Sequence, residues 1–176
     1  MTSPYRLLGP AERRRYWRAY AERTIPALVT LALIGAMTAP LFVSVPAVPD
    51  FALLAVFVWA SFQPGLMPPW LAFAIGCVAD LLFALPLGVH ATLLPVTVVV
   101  VRIVDARFAD HRYAFDWLFA ALVIAGFAVL EWQLLAIAGV DGPLAPLLVQ
   151  AGTTILAYPA VVGLMAAIQR RLQAGR

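Results

Sequence analysis

Residues 72–91 read Ala72-Phe73-Ala74-Ile75-Gly76-Cys77-Val78-Ala79-Asp80-Leu81-Leu82-Phe83-Ala84-Leu85-Pro86-Leu87-Gly88-Val89-His90-Ala91, one acid in an apolar run, then a Pro-Leu-Gly break and a histidine just beyond it. The run predicts a membrane-spanning helix over residues 70–85 and a second over 89–104, joined at the break. Asp80 then lies about 16 Å along the first helix, near the bilayer midplane. A carboxyl group there costs about 2.5–3.5 kcal/mol on insertion scales, so it must face protein or a wet cavity. Ala72, Gly76, Asp80 and Ala84 recur at every fourth residue, a narrow stripe of small side chains that lets another helix approach closely. Asp80 is therefore expected in a helix–helix seam, protonated or hydrogen-bonded. His90 differs from it in height by about 5–6 Å on helical rise, which brings the two within reach across the hairpin. The pair makes no metal site, because structural zinc wants four ligands of N and S type.

The rest of the chain has the same character. Of 176 residues, 64% are apolar and 12% charged, against about 25% charged in a soluble domain. Mean hydropathy is +0.93. A water-soluble enzyme and a disordered chain are both excluded, since a chain of this size has no interior large enough for so much apolar surface. Six spans are predicted, over residues 25–45, 51–62, 70–85, 89–104, 117–138 and 144–168. The expected fold is an all-α, polytopic six-helix transmembrane bundle over residues 25–168. A cytoplasmic amphipathic segment, residues 1–24, precedes it, and a cytoplasmic basic tail, residues 169–176, follows. The first span is too long for a signal-peptide core and is read as uncleaved. Pro40 and Pro159 are expected to kink or interrupt the first and sixth spans. The second span is short enough to reach only part way.

All twelve cationic residues are arginines: six in residues 6–23, three in 102–112 and three in 170–176. Six spans with both termini cytoplasmic put every arginine on the inner side and leave only Asp50 and Asp141 in outer loops. Topology, not nucleic-acid binding, thus explains a pI near 9.5. Arg13, Arg14 and Arg18 share a short helix with Tyr16, Trp17 and Tyr20, and Arg107 and Arg112 lie in the loop after the fourth span. Both groups are candidate contacts for anionic lipid or a cytoplasmic partner. Arg102, at the inner end of its span, snorkels towards the headgroups.

Glu131 and Gln133, in the outer third of the fifth span, are candidate cavity residues. Cys77 is the single cysteine, so no disulfide framework exists. The chain holds no HExxH, GxSxG, Walker A, CxxC or Gly-rich dinucleotide pattern. No catalytic role, metal or cofactor is expected.

The ordered set Gly76-x-x-x-Asp80-Leu81-Leu82, then Pro86-Leu87-Gly88-x-His90-Ala91, resembles the bacterial rod shape-determining protein family MreD. Tyr158-Pro159 and the following Gln169-Arg170 are similar to that family's ending. The resemblance implies a structural polar seam of Gly76, Asp80, Pro86, Gly88 and His90. It also implies an inner-membrane, non-enzymatic scaffold subunit of the cell-elongation complex. Its partners would be the bitopic periplasmic scaffold MreC, the MreB filament and the peptidoglycan synthases of the complex. The family's bundle is similar to the S-component of energy-coupling-factor vitamin transporters. A lipid-facing groove for the partner's span is expected beside the short second span or the proline-broken first and sixth. The competing reading is a small-molecule, vitamin-like binding component of a transporter, which would gather several convergent polar side chains in the outer half.

Overall fold

A computed structural model describes residues 24–35, 37, 48–107, 113–140 and 142–174. It is all-helical, with α1 (Thr24–Gly35), α2 (Phe51–Phe62), α3 (Pro69–Leu82), α4 (Val89–Arg107), α5 (Tyr113–Ile137) and α6 (Leu144–Ala174). Among the described residues, three segments are long and apolar enough to cross a bilayer: Val89–Ala106, Asp116–Ile137 and Leu144–Leu164. The helices α1, α2 and α3 are apolar but shorter. Twelve residues of α2 rise about 18 Å, short of a ~30 Å hydrocarbon layer.

Local chemistry sets the ends of these helices. Asp50 starts α2: its Oδ1 accepts the amide of Leu53 at 2.9 Å, filling one of the orphan donors of the first turn. Pro69 opens α3, where its missing N–H is not needed. The chain leaves α3 with Ala84 in the left-handed region at φ 53°, and the Leu85 amide returns to the Asp80 carbonyl at 2.9 Å. That closure satisfies a carbonyl the helix end would otherwise leave bare.

The helices pack most extensively α3 on α4 and α5 on α6, with α2 against α4 and α6. The core runs through α2, whose residues 52–60 are all 5% exposed or less. Phe57 joins it to Phe119 of α5 at 5.7 Å between ring centroids and to Tyr158 of α6, edge-on, at 5.6 Å. A helix buried on every side has no lipid-facing groove, so the groove expected beside the second span is not there. Leucine, valine and tryptophan side chains line the outside instead, among them Trp70, Leu122 and Leu156. Such a surface matches acyl chains rather than water.

Two expected boundaries change. The helix over residues 70–85 ends at Leu82, so Asp80 sits in its last turn instead of mid-span. The sixth helix is not interrupted: α6 runs straight through Pro159 and on to Ala174, into the tail at residues 169–176. Pro159 has no N–H for the Ile155 carbonyl four residues back, but the indole Nε1–H of Trp117 in α5 donates to it at 3.2 Å. A bilayer leaves no water to do that job. Replacing Trp117 by Phe keeps an aromatic side chain and removes the donor. It is expected to lower stability by about 1–2 kcal/mol, read as a drop in the thermal midpoint of the purified chain, whereas the same change at a donor bonded to water would not register.

Candidate polar site

One end of the bundle collects the N-terminus of α2, the C-terminal turn of α3, the N-terminus of α4, the last part of α5 and the start of α6. Its centre is Asp80, fully buried. One carboxylate oxygen, Oδ1, accepts the His90 amide at 2.8 Å and faces His90 Nδ1 at 3.0 Å. The other, Oδ2, accepts the amides of Gly88 at 2.9 Å and Ala91 at 3.3 Å. Four donors converge on two oxygens, an acceptor-only role that suits a carboxylate. Three of them are the free amides at the start of α4, where the helix dipole also favours negative charge. Asp80 is the cap of α4, supplied from α3. Its own carbonyl closes α3, so one residue terminates both helices of the hairpin.

The surrounding motif follows from that contact. Gly88 holds φ +114°, a conformation L side chains rarely adopt, and so presents its amide to Asp80. Pro86 shapes the turn, its carbonyl accepting the Val89 amide at 3.4 Å. Gly76, one turn before Asp80, lets the backbones touch: a Cβ there would lie 2.5 Å from the His90 carbonyl oxygen and 2.6 Å from Ala91 Cα. The predicted set Gly76, Asp80, Pro86, Gly88 and His90 thus comes together in the structure.

His90, 3% exposed, connects the cap to the rest of the end. Its ring lies between Phe83 and Phe127, with centroids 5.8 and 5.7 Å away, and its Nε2 is 3.9 Å from Asp50 Oδ2. The Asp50 amide donates to Thr154 Oγ1 at 2.9 Å, and that hydroxyl donates to the Gln150 carbonyl at 2.6 Å. Beside this chain lies a cavity of about 10 Å³ lined by Asp50, Glu131, Gln150 and Thr154 with Leu53, Phe127 and other apolar side chains. Glu131 is on its wall as expected. Gln133 is not: it is exposed and faces away, because two residues of helix turn a side chain by about 200°. Sequence reasoning placed Asp50 in a loop and overlooked Gln150 and Thr154. The signal for Asp50 was its place before an apolar run. For the other two it was two polar residues four apart in an apolar helix.

At the opposite end, Arg102 does more than snorkel. Its Nη2 donates to the carbonyls of Pro64 and, at 3.0 Å, Met67, fastening the α2–α3 loop to α4. Arg13, Arg14, Arg18 and Arg112 lie outside the described residues, as does the side chain of Arg107. No group of three His, Cys, Asp or Glu among the described residues is placed to hold a metal ion.

A large apolar groove of about 330 Å³ opens between α4 and α5, lined by Leu93, Val96, Thr97, Leu122, Gly126 and Leu130 among others. The family model described as rod shape-determining protein MreD matches residues 19–168. No curated protein and no solved structure matches the chain.

Proposed function

Since the chain belongs to the rod shape-determining MreD family, whose members are membrane proteins that help set cell shape, we propose that it is a non-enzymatic scaffold subunit of the wall-elongation complex. In this reading it pairs with an MreC-like bitopic protein in the inner membrane, beside an MreB-like filament and peptidoglycan synthases, with both termini cytoplasmic. The observation that carries it is the groove between α4 and α5, whose polar lining residue is Thr97 and whose remaining walls are apolar. The Thr97 hydroxyl is already bonded to the Leu93 carbonyl at 3.0 Å. A surface of that kind offers van der Waals contact to a single apolar helix and nothing to a polar solute. The wall formed by α4 begins at the Asp80 cap. Related to this is a proposed kinship with energy-coupling-factor S-components, supported by the all-helical make-up and the six helices among the described residues. The vitamin-binding reading fits less well: a ligand pocket usually spans about 300–1,000 Å³ with a few convergent polar groups. Here the polar cavity is about 10 Å³ and the roomy groove is apolar.

Gly126 makes the test specific. It lies in the groove wall, and a Cβ there meets nothing within 4 Å. Gly126→Leu projects a side chain into the groove and is expected to leave the chain as stable or about 0.5–1 kcal/mol more so. Co-purification of the bitopic partner from membranes is expected to fall at least about tenfold, equivalent to about 1.4 kcal/mol, and rod shape to fail with it. Undiminished co-purification at normal protein level would refute the groove as the partner's seat.

A further inference from the structure

We propose that the cavity between α2, α5 and α6 binds one water-sized cation, either a proton carried on water or a sodium ion, held by Glu131, Asp50 and Gln150. Glu131 is 8% exposed, lines the cavity, and makes no hydrogen bond to any described residue. An acid so placed inside an apolar bundle requires a partner. Its neighbours offer mostly lone pairs. Asp50 Oδ1 is taken by the Leu53 amide, while Oδ2 lies 3.9 Å from His90 Nε2, beyond hydrogen-bond range. Thr154 spends its proton on the Gln150 carbonyl. Gln150, on α6, completes the lining.

Charge and size choose the guest. Asp50, Asp80 and Glu131 bring three carboxyl groups to this end of the bundle and His90 a single imidazole. Asp80 has its own four donors, which leaves Asp50 and Glu131 short of positive charge. A space of about 10 Å³ holds one water-sized particle. A small monovalent cation meets both conditions and ties three helices together.

The test uses the full chain purified in mild detergent, so partner binding does not enter, and the groove proposal can fail without touching this one. Thermal unfolding is followed in sodium chloride against choline chloride at equal ionic strength, and separately between about pH 5 and 8. A thermal midpoint that rises by about 3 °C or more with sodium, and no longer does in Glu131→Gln, identifies sodium as the guest. Indifference to sodium with a pH dependence that both Glu131→Gln and Gln150→Ala flatten identifies the proton on water. Gln150→Ala keeps every carboxyl group and serves on its own if Glu131→Gln does not fold. Identical sodium and pH responses in the parent and the variants would overturn the proposal.

Discussion

Gly76→Ala is expected to remove most of the folded protein from membranes, although it adds one methyl group and improves helix propensity. The new Cβ would sit 2.5 Å from the His90 carbonyl oxygen and 2.6 Å from both Ala91 N and Cα, all backbone atoms that no rotamer change can move aside. The α3 and α4 backbones would have to separate, and separation also lengthens the hydrogen bonds from Gly88, His90 and Ala91 to Asp80. Overpacking alone costs about 1–3 kcal/mol, and loosening the cap adds to it. Against a total stability of about 5–15 kcal/mol, the combined loss is severe. Gly152 supplies the control, since a Cβ there meets nothing within 4 Å. Gly152→Ala is expected to be neutral or slightly stabilising. Monodisperse protein recovered in detergent, with its thermal midpoint, separates the two. Equal recovery of both variants would show that the hairpin is not packed backbone to backbone.

Asp80→Ala is expected to be at least as damaging, for a different reason. It creates little overlap or void, but it strips the acceptor from the buried amides of His90 and Ala91, the half-buried amide of Gly88 and His90 Nδ1. Each unsatisfied buried donor costs about 1–3 kcal/mol, and lipid offers no water to relieve it. A loss of about 4 kcal/mol or more follows, even if the start of α4 frays to recover part of it. Asp80→Asn keeps one acceptor oxygen and turns an NH₂ group towards donors. Its expected loss lies between those of the parent and the alanine variant. The ranking parent, Asn, Ala in thermal midpoint is the signature of a cap. If instead Asn matched the parent, the charge and the second acceptor would be irrelevant.

Much of this hairpin was readable beforehand, because the cost of burying an acid in lipid forces it into a seam. The stripe through Gly76 and Asp80, with His90 across the turn, narrowed the seam to one pair of helices. What spacing alone does not reveal is that Asp80 ends one helix and begins the next. That depends on α3 stopping at Leu82, and the residue taking the left-handed turn is Ala84, not the glycine such a turn favours. The passage of α6 through Pro159 was illegible for a similar reason, since the donor that replaces the missing one comes from Trp117 on another helix. Gln133 is close to Glu131 in sequence, which makes it a natural cavity candidate, while Gln150 lies on a distant helix. Helical phase argues the other way, and the polar pair Gln150 and Thr154 lies one turn apart on the same stretch of α6. Asp50 carried a start signal for α2 that the topology argument absorbed as a loop charge. Local rules therefore located the seam, whereas contacts between distant helices decided where elements end and which polar groups share a cavity.

The central claim is that the Asp80 carboxylate holds the first amides of α4, and residue-resolved amide hydrogen exchange at His90 and Ala91 tests it most directly. In the parent chain in detergent both amides are expected to exchange as slowly as interior α4 amides. In Asp80→Asn they are expected to exchange at least about tenfold faster, equivalent to about 1.4 kcal/mol, while amides in the middle of α5 keep their rates. Fast exchange at His90 and Ala91 in the parent, or equal rates in parent and variant, would contradict it.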